Sequence, residues 1–342
     1  MRQPSGFNGA LRCAGHWSRL SCLLVSFAIG AGCEENSGAS RSRIEPTRIL
    51  FVGEGKDVAS WRVIEATAKA FAEAHPHVTV DAVAPSVSSP VGQQDILRNL
   101  AGKDIDTICI LPVQPDGLEA IVSEIANSGI PIVVVGRDVI GSRRSAYCGP
   151  SESELGEATV TACGMVLEKR SKTLMLLHAA KTDERQGFRY RGFQHELPMA
   201  GGVHVVREVD CGGDPAEAVR LAKSESRKYP RIGCWALLDD WPLRSLPREE
   251  RLFGLGITMV VCDADPSLWP RMADGQIQAL VGYDLREAIR AGLTIALRLT
   301  MPDDRRFVTD VHIKAEVFTE ANIAQLKARW ALWEQGKRSP PE

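Results

Sequence analysis

From Arg48 onward the chain alternates short apolar runs with longer amphipathic ones, and this alternation narrows its folding options more than any other feature. The apolar runs are Ile49 to Val52, Val78 to Val83, Thr107 to Leu111, Pro131 to Val135, Ala146 to Gly149, Thr173 to Leu177, Val203 to Val209, Ile232 to Leu238, Ile257 to Cys262, Ala279 to Tyr283 and Phe307 to Ile313. Between them lie helix candidates at Ser60 to Ala74, Gln93 to Ala101, Gly117 to Asn127, Glu152 to Glu168, Glu184 to Leu197, Pro215 to Tyr229, Pro266 to Asp274 and Leu285 to Leu299. Strands that alternate with helices of this length build parallel sheets through crossover connections. Some ten such strands exceed one comfortable core, so the expectation is an α/β protein of two doubly wound parallel-sheet lobes.

The first segment obeys different rules. Arg2, Arg12 and Arg19 precede the apolar stretch Leu20 to Gly32, which ends in small residues before Cys33. A positive region, a short apolar region and small residues are the pattern of a secretory leader. At about 13 residues the stretch falls short of the roughly 20 that a spanning helix needs. Residues 1–33 are therefore read as a signal peptide. Glu34 to Arg43 is polar and rich in Gly and Ser, a flexible tether that covers 34–46 in this reading.

Charge is balanced, with 41 basic against 43 acidic residues in a chain of 342, and the signs are mixed along the sequence. No basic face is offered to nucleic acid or to anionic lipid. Cys109, Cys148, Cys163, Cys211, Cys234 and Cys262 stand singly, without CxxC spacing or a histidine companion, so no metal site is expected. One or two disulfides would suit an oxidising compartment, but spacing assigns none. The histidines are scattered, only His75 and His77 being close, and no GxSxG, phosphate-binding loop or GxGxxG occurs. An enzyme and a cofactor are both disfavoured.

In open parallel sheets ligands bind beyond the carboxyl ends of the strands. That rule nominates Gly53 to Trp61, Pro112 to Pro115, Gly136 to Asp138, Ala179 to Arg189, Asp239 to Trp241, Asp263 to Asp265 and Tyr283 to Asp284. These stretches, with Ile105 to Pro112, Ser128 to Val133, Arg189 to Phe193, Leu238 to Asp240, Val260 to Asp263, Gly275 to Ile277 and Thr319 to Ile323, follow one another in a familiar order. Together they resemble the periplasmic sugar-binding proteins of the ribose-binding type, whose fold is shared by the effector domains of the lactose-repressor family. The run Gly30-Ala31-Gly32-Cys33 resembles a bacterial lipoprotein signal, which implies a lipid on Cys33.

The resemblance implies the type I periplasmic binding protein fold, with lobes joined by three crossovers near Gly149, Asp284 and Arg305. The N-terminal lobe would comprise 47–148 plus 284–305, the C-terminal lobe 149–283 plus 306–318, and 319–342 a C-terminal helix and tail. It also implies a monosaccharide held between the lobes by hinge closure and passed to the permease of an ABC transporter, with a membrane sensor receptor as the alternative partner. Membrane contact would be through the lipid only. A sugar offers vicinal hydroxyls and an apolar face, which forked ionic groups and aromatic plates recognise. The expected ligand set is Arg137, Arg189, Asp239 and Asp263, with Trp61 and Trp241 as plates. Asp138 would stand in for the aspartate expected at Gly136, and Tyr283 occupies a hinge position where ribose binders carry glutamine. A repressor would need a helix-turn-helix ahead of Arg48, where the leader and tether stand instead. Ile323, Leu326, Trp330 and Trp333 recur at helical spacing and should pack across one lobe.

Overall fold

The computed structural model describes residues 46–338 apart from 101–102, 168–171 and 302. The leader, Cys33 and nearly all of the tether lie outside the described residues. The strands are β1 (Thr47–Val52), β2 (Val78–Val83), β3 (Thr107–Ile110), β4 (Ile132–Val135), β5 (Ala146–Gly149), β6 (Thr173–His178), β7 (His204–Asp210), β8 (Cys234–Leu237), β9 (Thr258–Val261), β10 (Ala279–Tyr283), β11 (Val311–His312) and β12 (Ala315–Thr319). The helices are α1 (Ala59–Ala74), α2 (Pro90–Arg98), α3 (Glu119–Asn127), α4 (Glu152–Leu167), α5 (Glu184–Glu196), α6 (Pro215–Lys228), α7 (Trp241–Arg244), α8 (Trp269–Ala273), α9 (Leu285–Thr300) and α10 (Ile323–Trp333).

The strands form two sheets, in the orders β11-β5-β4-β3-β1-β2 and β12-β10-β9-β8-β6-β7. Within each, the first strand of the lobe lies between the second and the third, so the winding reverses there. Pairing is parallel except where β12 runs antiparallel to β10. Helices cover both faces, and so β3, β4, β8 and β9 are buried at every residue, as their unbroken apolar runs require. Helix starts are set locally. Ser89, Asp183, Asp214 and Asp284 accept from backbone N–H groups of the first turn, and Pro90 and Pro215 follow two of these caps.

Three passages join the lobes. The chain leaves the first sheet at Gly149, returns to it after Tyr283 through α9, which packs on β3, β4 and β5, and crosses again between His312 and Ala315. This third crossing comes later than the expected position near Arg305. The apolar run Phe307 to Ile313 begins in the last residue of a 3-10 turn at Arg305–Phe307 and holds only a two-residue strand. The final strand of the second sheet is β12, which the apolar pattern did not announce. The six cysteines of the described residues are buried and free. Among the described residues no helix is long and apolar enough to cross a membrane.

Candidate ligand cleft between the lobes

Beyond the carboxyl ends of both sheets lies a cleft of about 770 Å³, lined by residues of both lobes. Glu54 follows β1, Arg137 follows β4, Asp239 and Asp240 follow β8, Asp263 and Asp265 follow β9, and Tyr283 closes β10. Glu152, Arg185 and Arg189 come from the helices α4 and α5, and Leu326 and Trp330 from α10. A second hollow of about 760 Å³ is lined by β1, β2, α2 and nearby residues of the first lobe alone.

The second lobe contributes an ionic network that is already complete. Arg189 donates through Nε to Glu152 Oε2 at 2.7 Å and through a terminal nitrogen to the Leu238 carbonyl at 2.6 Å. Arg185 spans Glu152 at 3.5 Å and Asp239 at 3.3 Å, while Gln186 donates to Asp239 at 3.2 Å. Arg244 pairs with both Asp239 and Asp240. Burial opposes ionisation of Asp239, but Arg244, Arg185 and Arg189 outweigh it and hold this carboxylate well below its usual range. Asp240 goes the other way. Burial, and then the charge of Asp263, push its carboxyl well up despite Arg244.

A close helix crossing makes the network possible. Gly156 on α4 and Gly192 on α5 face each other so tightly that a Cβ at either would collide with the opposite backbone, of Arg189 or of Ser153. Glu152, one turn before Gly156, is thereby brought within reach of both arginines.

The first lobe is sparer. Arg137 donates to Glu54 at 2.5 Å and to the Pro112 carbonyl at 3.2 Å, and reaches across the cleft to within 3.9 Å of Asp263. Burial opposes its charge, yet Glu54 and Asp263 raise its affinity for the proton. Asp263 in turn accepts from the Asp265 backbone N–H at 2.8 Å, whereas Asp265 caps the following turn at Ser267. Capping of the turn after β9 therefore falls to Asp265 and leaves one Asp263 oxygen free of that duty.

Five of the expected residues, Arg137, Arg189, Asp239, Asp263 and Tyr283, line the cleft. Three do not. Asp138 is held by Arg144, which also binds Asp310, and does not replace the missing aspartate. Trp61 and Trp241 belong to the apolar core, where Trp61 packs against Gly53. Both follow a strand end, but both side chains are buried in the core.

The missing aspartate has a geometric reason. Gly136 has a φ of +77°, and a Cβ there would lie 2.6 Å from the Tyr283 hydroxyl and 2.6 Å from Leu111. Tyr283 fills the space that a side chain at 136 would need, so the two departures from the ribose-type pattern meet at one point of the cleft. Burial raises the Tyr283 phenol well above its ordinary value, which keeps it a neutral donor.

Sequence reasoning missed Glu54, Glu152, Arg185, Asp240, Arg244 and Trp330. Asp239, Asp240 and Asp263 each bring an oxygen within 4.8 Å of the others, a spacing compatible with a cation, and Arg244 already supplies positive charge to two of them. Chemically the cleft offers carboxylate acceptors and guanidinium donors in fixed positions, the means of holding a small polar molecule.

Comparison with known proteins agrees with this architecture. The model of the periplasmic binding protein domain matches residues 49–301. No curated protein matches the chain in sequence. Among solved structures, a solute-binding protein of an ABC transporter from Burkholderia graminis, in complex with D-arabinose, is 18% identical with a TM-score of 0.65, covering 82% of this chain and 97% of its own. One from Bacillus halodurans with bound myo-inositol is also 18% identical, with a TM-score of 0.63 over 82% and 97%. A periplasmic ribose ABC transporter protein from Conexibacter woesei is 14% identical, with a TM-score of 0.68 over 86% and 99%. Two doubly wound sheets, three passages between them, a cleft at the strand ends and the matched domain agree: the chain belongs to the periplasmic binding protein domain family.

Proposed function

We propose that this protein captures a monosaccharide or a related polyol between its lobes and delivers it to an ABC-type permease, held at the cell envelope by a lipid on Cys33. One observation carries the reading: carboxylates and guanidiniums from both lobes converge on one cleft at the strand ends, with Arg137 and Asp263 facing each other across it at 3.9 Å. Ionised acceptors of this kind bind vicinal hydroxyls strongly because charge shortens and strengthens the hydrogen bond. Asp263 and Glu54 are the acceptors, Arg137 and Tyr283 the donors, and Arg189 and Asp239 hold the floor of the site rigid. The D-arabinose and myo-inositol in the structural relatives are molecules of this class. Ligand that bridges Arg137 and Asp263 favours the closed form, shifting an equilibrium the hinge already permits.

The test is thermal unfolding of the leaderless protein across pentoses, hexoses, polyols and nucleosides, with Asp263→Ala in parallel. A saturating rise with one compound, lost in the variant, supports the reading, since a ligand of the native state stabilises by mass action. No rise with any compound overturns it.

A further inference from the structure

The cleft is unbalanced in charge. Seven of the described residues that line it are Asp or Glu and four are Arg, with no Lys or His among them. The four guanidiniums are already committed: Arg185 and Arg189 to Glu152 and Asp239, Arg244 to Asp239 and Asp240, and Arg137 to Glu54. Three carboxylates remain. Asp57 and Asp265 accept through Oδ1 from the backbone N–H groups of Ser88 and Ser267, at 2.7 and 2.9 Å, and form no ion pair among the described residues. Asp263 has Arg137 near it, at 3.9 Å, too far for a hydrogen bond.

The excess gathers around Asp263. Its side chain is 21% exposed and lines the cleft, and its Oδ1 is the oxygen that the Asp265 backbone N–H occupies at 2.8 Å. Asp263, Asp239 and Asp240 each bring an oxygen within 4.8 Å of the others. Burial, and next the charge of Asp263, raise the carboxyls of both Asp240 and Asp265, so both neighbours feel its negative charge. Closure of the lobes dries the cleft, and like charges repel more strongly as the dielectric falls. A neutral sugar donates hydroxyls to Asp263 but brings no charge with them. An ammonium brings three donors and the missing positive charge to the same place.

We propose that the ligand is a polyol bearing an amine, an amino sugar or an aminocyclitol, with its ammonium seated on Asp263 beside Asp240 and its hydroxyls shared with Glu54 and Arg137. This rests on the cleft being a polyol site and names the class of polyol that it takes. The same charge turns away sugars that carry a phosphate or a carboxylate.

The test is calorimetric titration of the leaderless protein at neutral pH with matched pairs, D-glucosamine and D-glucose, D-galactosamine and D-galactose, D-mannosamine and D-mannose, in wild type, Asp263→Asn and Asp240→Asn. Glucuronic acid and calcium or magnesium ions alone are titrated beside them. The expected result is that in at least one pair the amine binds about tenfold tighter than its neutral partner, the worth of a charge-assisted hydrogen bond. That preference should collapse in Asp263→Asn and shrink in Asp240→Asn, and glucuronic acid should not bind. The ratio within a pair is the readout, because a variant that merely loosens the site weakens both members alike. If the neutral member of each pair binds as tightly as the amine, the charge assignment is wrong while the polyol site stands. An amine preference that survives in both variants overturns the seat on Asp263. Binding of calcium or magnesium alone, lost in Asp263→Asn, would make the three aspartates a metal site and overturn the amine assignment. Absence of binding by every sugar, neutral or amino, removes the polyol reading and this inference with it.

Discussion

The two sides of the cleft are built differently. On the second lobe, Glu152, Arg185, Arg189 and Asp239 have side chains 6–8% exposed and are bonded to one another. On the first lobe the ionic contact is one pair, Glu54 at 15% and Arg137 at 26% exposure. A buried ion pair costs more to desolvate than a surface one and is stable only when every member is paired. The second lobe therefore presents a closely bonded floor, and the first lobe presents a sparser and more accessible pair. Preorganisation of one side lowers the ordering cost of binding.

The sharpest test of that contrast is to remove one carboxylate from each side. Glu152→Ala should destabilise the ligand-free protein by about 3–5 kcal/mol, because it leaves two buried guanidiniums short of a partner. Glu54→Ala should cost less, about 1–3 kcal/mol, because its pair is partly exposed and only Arg137 and Ser60 lose an acceptor. Denaturant unfolding measures both, and equal losses would erase the distinction between the two sides.

Next in size is the pair at positions 136 and 283. Gly136→Ala should cost about 1–3 kcal/mol, from overpacking against Tyr283 and Leu111 together with the positive φ. In the double variant with Tyr283→Gln part of that cost should return, since the clash with the Tyr283 hydroxyl is relieved while the one with Leu111 and the backbone strain are not. Purely additive losses in the cycle would show that the two positions are independent.

Arg137→Ala tests the sparser side. It should weaken ligand binding about tenfold, roughly 1.4 kcal/mol, while leaving ligand-free stability nearly unchanged, measured by titration and melting. A large loss of stability would place Arg137 with the closely bonded side instead.

The smallest effect concerns acid. His178 in the second lobe is 4% exposed, and burial lowers its pKa although Asp210 opposes the shift. Below its ordinary value of about 6.5 the unfolded chain takes up a proton that the folded chain resists. Stability should therefore fall as pH drops from 7 through that window, and His178→Gln should flatten the fall. An unchanged slope in the variant would assign the acid sensitivity elsewhere.

The fold was legible because a doubly wound sheet announces each buried parallel strand as an unbroken apolar run. β12 was not legible, since Ala315–Thr319 mixes Glu and Thr into an edge strand with a partner on one side only. The strand-end rule found the right loops, and Glu54, Arg185, Asp240 and Asp265 all fall within the windows it nominated. It could not say which side chain in a window faces the cleft. Trp61 and Trp241 were chosen for their chemistry, yet large apolar side chains near a strand end are drawn into the core, and both are buried there. Glu152 lay outside every window because it reaches the site through a helix crossing, whose only sequence trace is the pair Gly156 and Gly192. Trp330 was hidden for another reason: it stands nearly 50 residues after the last nominated strand end, on a helix whose spacing spoke for packing alone.

The most direct measurement of the whole account is calorimetric titration of the leaderless protein with the sugar or polyol that raises its melting temperature most, in wild type and in Asp263→Asn. The account predicts one site per chain with micromolar or tighter affinity, about −8 kcal/mol or better, weakened at least about tenfold when the Asp263 carboxylate becomes an amide. Equal affinity in the two proteins would contradict it, because the ligand would then bind somewhere other than between the lobes.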